Sequence, residues 1–240
     1  MQTIVAKNTE ELSRLFADWL VEYIEETLQK QDRFTISLSG GSTPKKLYQL
    51  LATKEYAEKI DWSKLHFFWG DERFVPFTDD RNNAKMTFDE LLDHVPINKA
   101  FVHVMRTDLP PDEAVEDYNT KLHKYFDGRQ FTFDLVMLGL GDDAHTLSLF
   151  PGYPVIDENH NWMSAFYLEE QKMYRITLTK PVVNKSSRVA FLVSGSGKVN
   201  ALKAVLYGDK NSEKYPAQVI QPTNGELYWF LDEAAAAALQ

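Results

Sequence analysis

The chain has 240 residues, with 26 Lys and Arg against 35 Asp and Glu, so its formal net charge is −9. That length suits one large α/β domain or two small ones, since domains average about 100–200 residues. A net negative charge argues against the broad basic face that nucleic-acid binding requires, so we expect no nucleic-acid partner. The absence of cysteine excludes a disulfide framework, a thiolate nucleophile and a cysteine-based zinc site.

The sequence predicts neither a membrane span nor a division into domains. No apolar run approaches the ~20 residues that a transmembrane helix needs. Residues 1–8 lack the basic start and apolar stretch of a secretory signal, so we expect a cytoplasmic protein. No Pro/Gly/Ser-rich linker interrupts the chain, and we therefore expect a single domain over residues 1–240, acting as a monomer or small homo-oligomer.

In chain order, short apolar strands alternate with amphipathic helices. Asn8 and Glu11 fit an N-cap and its partner, and apolar residues from Leu12 to Leu28, Leu15 among them, recur at helical spacing. Strands are predicted at residues 33–38, 65–69, 100–105, 133–138, 174–178, 188–193 and 227–231. Further helices are predicted at residues 44–51 and 112–126, and from Lys198 to Leu206. The alternation indicates βαβ units, hence an α/β fold with a mostly parallel sheet.

Four of these strands end in segments rich in Gly and polar residues. They end at Leu38, Trp69, Leu138 and Val193. Ligands of open parallel sheets bind at the carboxyl ends of the strands. We therefore expect these four ends to share one edge of the sheet and to form the functional site.

The first such segment, residues 39–43, is a candidate anion site. Gly40 and Gly41 let the backbone approach a ligand closely, and the following helix N-terminus favours an anion. Ser39, Ser42 and Thr43 add hydroxyl donors. An ordinary strand-to-helix turn explains the segment equally well, and the missing third glycine excludes a dinucleotide fingerprint.

Residues 194–198 resemble a phosphate loop only superficially, because the spacing between the glycines is too short. Lys198 nevertheless stands at a predicted helix start, where the helix dipole is positive, and a phosphate would resolve that conflict. A solvated surface lysine is the alternative.

Arg73 and Arg175 are the other candidate phosphate ligands. A guanidinium group matches phosphate oxygens in a bidentate arrangement. The alternative is an ordinary ion pair with an acidic neighbour. Asp71 and Glu72 directly precede Arg73 and are candidate partners that hold it in position.

His145 is the candidate acid–base group. It follows a glycine-containing strand end, and its ordinary pKa of about 6.5 suits proton transfer near neutrality. Asp143, two residues earlier, can orient the ring. The other histidines read as strand residues (His66 and His103) or as surface residues (His94, His123 and His160). No histidine pair or acidic cluster has metal-ligand spacing, so no metal site is predicted.

These residues together predict an anion-binding cleft with one acid–base histidine, which suits a phosphorylated metabolite but leaves the reaction unnamed. Three motifs carry a resemblance to a known family: LSGGSTP (38–44), FWGDERFVP (68–76) and LGLGDDAHTLSLFP (138–151). Through them the chain resembles the 6-phosphogluconolactonase family, within the glucosamine-6-phosphate isomerase/6-phosphogluconolactonase superfamily. The similarity continues through residues 175–178, 194–198 and 228–232.

The resemblance implies a Rossmann-like, three-layer α/β fold with helices on both faces of the sheet. It implies hydrolysis of 6-phospho-D-glucono-1,5-lactone to 6-phosphogluconate in the oxidative pentose phosphate pathway, without a metal or organic cofactor. The small-molecule partner would be that phosphorylated sugar lactone. His145 matches the family's catalytic histidine, with Asp143 beside it. The matching substrate- and phosphate-binding group is Ser39, Gly40, Gly41, Arg73, Arg175 and Lys198, to which Ser42 and Asp71 are added as neighbours.

Two features bear on the alternatives that remain open. The sibling deaminases carry an Asn-Glu-Pro segment after the histidine, whereas this chain has Leu149-Phe150-Pro151, which favours the lactonase. Ala144 stands where the family usually has Gly. If that position needs a positive φ, Ala costs on the order of 1–2 kcal/mol and can tilt His145, so a sugar-phosphate-binding module without turnover remains an alternative.

Overall fold

The structure is a computed structural model that describes residues 1–239. Within that range the strands are β1 (Gln2–Ala6), β2 (Phe34–Leu38), β3 (Leu65–Trp69), β4 (Asp71–Arg73), β5 (Leu135–Leu138), β6 (Met163–Leu168), β7 (Met173–Leu178), β8 (Arg188–Val193) and β9 (Glu226–Asp232). The α-helices are α1 (Thr9–Leu28), α2 (Ser42–Leu51), α3 (Lys54–Ala57), α4 (Asn83–Thr87), α5 (Pro111–Phe126), α6 (Lys180–Asn184), α7 (Val199–Tyr207) and α8 (Glu233–Ala236). None of the helices in this range is long and apolar enough to cross a membrane.

Six strands form one parallel sheet in the order β1-β9-β8-β5-β2-β3. Every residue of β2, β3 and β5 is buried, as expected for strands covered on both faces. The chain leaves β2 for β3 on one side and returns to β5 on the other. The loops after β2 and β5 therefore flank a reversal of strand order, where ligands of such sheets bind. The α/β prediction and the shared edge of the four strand ends are confirmed.

A second sheet of three antiparallel strands, in the order β4-β7-β6, stands beside this edge. The Leu178 N–H donates to the Gly70 carbonyl at 2.8 Å, which joins the end of β7 to the residue between β3 and β4. Arg73 is paired with Arg175 in the register of β4 and β7. The small sheet therefore brings two arginines to the strand ends of the large one.

Helix α1 shows how the sequence determines a packed element. The Asn8 side chain accepts hydrogen bonds from the Glu10 and Glu11 backbone N–H groups and caps the helix, as predicted. Leu12 and Phe16 are fully buried at helical spacing, and burying such side chains stabilises the fold by roughly 1.5–3 kcal/mol each. Leu15 was expected on this face but is 36% exposed.

The predicted strand at residues 100–105 is wrong. Lys99–Phe101 form a 3₁₀ turn instead, because the Asn98 side chain caps it by accepting from the Ala100 N–H. The segment that follows touches β3 at only one bridge, between Phe67 and Val102. Strands β1, β4 and β6 have no counterpart in the sequence predictions, and the predicted strand at 133–138 begins only at Leu135.

Candidate active site

A cleft of about 200 Å³ opens at the carboxyl edge of the large sheet, beside the small one. It is lined by Ser39, Gly40, Gly41, Asp71, Arg73, Asn83, Gly139, Leu140, Gly141, His145, Thr146, Leu147, Arg175 and Lys198. The structure thus brings the predicted histidine and the three predicted cations into one cavity. Two predicted residues do not line it: Ser42 is exposed at the start of α2, and Asp143 stands behind the histidine.

The segment after β2 approaches the cleft through two glycines. Gly41 has φ 109°, a backbone conformation that L side chains rarely adopt. A Cβ on Gly40 would lie 1.9 Å from Oδ1 of Asn83, so only glycine allows this contact. The Tyr48 hydroxyl donates to the Ser39 carbonyl at 2.8 Å and fixes the turn from below.

Three cationic side chains line the cleft and differ in how firmly neighbouring residues hold them. We call these residues the cation group: Arg73, Arg175 and Lys198. Arg175 is 3% exposed, and its Nη2 forms an ion pair with Oδ2 of Asp71 at 2.8 Å. Nη1 of Arg73 donates to the Arg81 carbonyl at 2.8 Å. The buried Nε atoms of Arg73 and Arg175 find no acceptor among residues 1–239. Both guanidinium groups line the cavity, and a guanidinium group in such a place fits an oxyanion.

Asp71 acts as the buried counter-ion of the arginines. Burial alone would raise the pKa of Asp71, but the positive charges of Arg175 and Arg73 and the hydrogen bond from Ser148 outweigh it and hold the pKa below its usual range. Ser148 Oγ donates to Oδ2 at 2.6 Å. Asp71 thus supplies one negative charge to two guanidinium groups, which leaves this trio with a net positive charge. Asp71 was predicted to pair with Arg73, but in the structure it forms its ion pair with Arg175.

Glu72, the other candidate partner of Arg73, makes no ion pair in the described chain. Its carboxylate accepts backbone N–H groups of Arg73 (2.9 Å), Asn83 (2.8 Å) and Ala84 (2.9 Å). Burial raises the pKa of Glu72 to about 7, against the lowering effect of these donors. Glu72 thereby ties β4 to the start of α4 and holds Asn83 in the cleft. Sequence reasoning missed Asn83 as a cleft residue; the available signal was Asn82, whose side chain accepts from the Lys85 N–H and caps the helix that Asn83 begins.

His145 stands in a tight turn that begins at Gly141. The Gly141 N–H donates to the His145 carbonyl at 2.8 Å, and Ala144 has φ 65°. The position therefore does need a positive φ, and the chain accommodates alanine there with the side chain fully buried. A Cβ on Gly141 would lie 2.1 Å from Nδ1 of His145, so the imidazole packs directly on this glycine.

The ring of His145 is fixed by two neighbours. Nδ1 lies 2.6 Å from Oδ1 of Asp143, which also accepts the His145 backbone N–H at 3.1 Å. Phe150 stacks on the imidazole with centroids 4.3 Å apart. Burial alone would raise the pKa of the Asp143 carboxyl. The hydrogen bond and charge of His145 outweigh that effect and hold the pKa below its usual range, so Asp143 stays ionised. Because Nδ1 faces the Asp143 carboxylate, Nε2 is the ring nitrogen left for proton transfer.

The remaining histidines belong to other parts of the fold. Nδ1 of His66 and Nε2 of His103 each lie 2.8 Å from the Tyr125 hydroxyl, away from the cleft. His123 pairs with Asp127 at 2.7 Å. Among residues 1–239, no three His, Asp or Glu side chains converge as a metal-binding group.

Comparison with known proteins identifies the family. The family model for glucosamine-6-phosphate isomerases/6-phosphogluconolactonase matches residues 7–229. A 6-phosphogluconolactonase of Synechocystis is 38% identical over 221 residues, covering 90% of this chain and 89% of that protein.

Solved structures agree with that assignment. A 6-phosphogluconolactonase of Trypanosoma brucei superposes with a TM-score of 0.87 at 28% identity, covering 100% of this chain and 98% of that one. A monomeric glucosamine-6-phosphate deaminase superposes with a TM-score of 0.84 at 19% identity, covering 99% and 100%, so it shares the fold. This chain belongs to the glucosamine-6-phosphate isomerase/6-phosphogluconolactonase family.

Proposed function

We propose that this protein is a carboxylic ester hydrolase that converts 6-phospho-D-glucono-1,5-lactone to 6-phosphogluconate in the oxidative pentose phosphate pathway. The observation that carries the proposal is the shared cleft: an Asp143–His145 dyad opens into the same cavity as the cation group. The names of relatives at 38% and 36% identity, both 6-phosphogluconolactonases, support the substrate.

Substrate binding depends on the remote 6-phosphate. The cation group holds the phosphate, because all three side chains line the cleft and guanidinium groups match phosphate oxygens in geometry and charge. Ser39, Gly40 and Gly41 border the same cavity and contribute hydroxyl and backbone donors. Anchoring the phosphate brings the lactone carbonyl to a fixed position beside the imidazole, which lowers the entropic part of the barrier.

The chemical step uses His145 as the proton carrier. Nε2 takes a proton from water as its oxygen attacks the lactone carbonyl, and a tetrahedral intermediate forms. The C–O bond to the ring oxygen then breaks, and the imidazolium returns the proton to that oxygen. Asp143 orients the ring and stabilises its charged form, and such acid–base catalysis contributes roughly 10²–10⁴-fold. No metal or organic cofactor takes part in this sequence.

The deaminase alternative fits the cleft less well. The sibling enzymes carry a glutamate in the segment after the histidine, where this chain has Leu149-Phe150-Pro151. Leu149 is fully buried, and Phe150 covers the imidazole. An apolar wall therefore stands where a second acid–base group would be needed. The alternative of a binding module without turnover was raised by Ala144, yet the dyad keeps a 2.6 Å hydrogen bond despite the alanine.

One comparison tests the proposal: enzyme-dependent hydrolysis of phosphorylated against unphosphorylated gluconolactone, each corrected for spontaneous opening. We expect the phosphorylated lactone to be strongly preferred, and His145→Ala to lower kcat by about 10²–10⁴-fold. His160→Ala, at an exposed histidine, is the matched control. Equal acceleration of both lactones contradicts the roles of the cation group, and ammonia release from glucosamine 6-phosphate supports the deaminase.

We propose that residues 1–240 work as one catalytic domain, since the cleft draws residues from Ser39 to Lys198. We propose a cytoplasmic monomer or small homo-oligomer whose only required partner is the phosphorylated lactone. Nucleic acid is not expected to bind a chain with a net charge of −9.

A further inference from the structure

An exposed carboxylate forms an ion pair with Lys198, one of the three cleft cations. Oδ1 of Asp142 lies 2.6 Å from Nζ of Lys198, and the Asp142 side chain is 76% exposed while that of Lys198 is 28% exposed. Within residues 1–239, Asp142 makes no hydrogen bond other than this ion pair. It precedes the Asp143–His145 dyad directly, but its charge is directed at the lysine.

The two other cations are balanced differently. Arg175 and Asp71 form a pair with side chains 4% and 9% exposed, tied further by Ser148, so that pair is a fixed part of the wall. Arg73 donates to a backbone carbonyl and has no carboxylate ion pair within the described chain. Lys198 is therefore the cleft cation whose counter-ion is exposed. Exposed ion pairs are weak because water screens them. An anion of higher charge can therefore replace the carboxylate at the lysine.

We propose that Asp142 is a displaceable counter-ion that sets the affinity and selectivity of the cleft for dianionic phosphate. This inference rests on the proposed function for the identity of the ligand. In the free enzyme the carboxylate neutralises Lys198, and the phosphate of an incoming ligand replaces it. A dianion competes for the lysine better than a monovalent anion, because its attraction to the ammonium is about twice as large at the same distance.

The exchange has a measurable consequence for affinity. Removing the Asp142 charge relieves both the competition for Lys198 and the repulsion between the carboxylate and the phosphate. We expect Asp142→Asn to lower the Kd for inorganic phosphate and the KM for the phosphorylated lactone by the same factor, roughly three- to tenfold. The KM for unphosphorylated gluconolactone has no such dependence.

The experiment is isothermal calorimetry with inorganic phosphate on five proteins, together with steady-state kinetics. The proteins are wild type, Asp142→Asn, Lys198→Met and the double variant, and Asp93→Asn, at an exposed carboxylate outside the cleft, is the control of equal net charge. We expect the gain from Asp142→Asn to fall below about twofold when Lys198 is absent, and Asp93→Asn to match wild type.

Three results overturn the inference: an unchanged phosphate Kd in Asp142→Asn, an equal gain in Asp93→Asn, or an undiminished gain in the Lys198→Met background. The calorimetric arm does not depend on turnover. A protein that binds phosphate as described but fails to hydrolyse the lactone contradicts the proposed function and leaves the role of Asp142 intact.

Discussion

Replacing Gly141 with alanine puts a methyl group where the imidazole of His145 lies. The added Cβ would stand 2.1 Å from Nδ1, 2.3 Å from Cε1 and 2.6 Å from Oδ1 of Asp143. An ordinary contact begins near 3.4 Å, so the ring must retreat by roughly 1.3 Å. Gly141 does not have the positive φ of the left-handed region, so alanine adds no backbone strain there. The substitution therefore acts on the position of the dyad.

A displacement of that size is large for catalysis, since a misplacement of about 1 Å can cost roughly 10²-fold in rate. We expect Gly141→Ala to lower kcat about 10²-fold or more, while KM for the phosphorylated lactone changes much less because the cation group is untouched. The assay follows production of 6-phosphogluconate after subtraction of spontaneous hydrolysis, with urea denaturation to verify folding.

Gly197→Ala is the matched control for this experiment. Its Cβ meets nothing closer than Oδ1 of Asp142 at 3.8 Å, an ordinary contact at the same edge of the sheet. We expect that variant to keep the wild-type kcat. A folded Gly141→Ala protein with kcat within about threefold of wild type would refute the placement of His145 against Gly141, and with it the dyad as the source of catalysis.

Three further predictions concern charge. Asp71→Asn leaves the buried guanidinium of Arg175 without a counter-ion and should lower the free energy of unfolding by about 3–5 kcal/mol, whereas Ser148→Ala removes one hydrogen bond and should cost about 1–2 kcal/mol; equal losses in urea denaturation contradict this ranking. Burial lowers the pKa of His103 to about 4. As the pH falls, this histidine therefore gains its proton in the unfolded chain before it does so in the folded one, and the free energy of unfolding decreases between about pH 6.5 and pH 4. Relative to His103→Phe, wild type should lose about 1.5 kcal/mol over that range, half the full linkage value because the ring is partly solvated, and parallel pH profiles would contradict it. Raising ionic strength should raise KM for the phosphorylated lactone and not for the unphosphorylated one, since salt screens the cleft cations; equal salt dependence in steady-state kinetics speaks against phosphate anchoring.

Local patterns in the sequence determined the parallel sheet and its ligand edge. Leu65–Trp69 and Arg188–Val193 form strands with the bounds that their apolar runs predict, and the glycines after Leu38 and Leu138 mark strand ends that meet in the cleft. These features depend on residues close together in the chain. Side-chain periodicity, turn chemistry and capping can therefore be read without the tertiary structure.

The tertiary structure decided which charged residues of the site pair with one another. Asp71 and Arg175 are 104 residues apart and meet only because the three-residue strand β4 pairs with β7, and such a short polar strand has no apolar signature. For the same reason Glu72 was expected to pair with Arg73 and instead accepts backbone N–H groups. Sequence shows which charges a chain carries, whereas long-range pairing and burial decide which of them neutralise one another and which face a ligand.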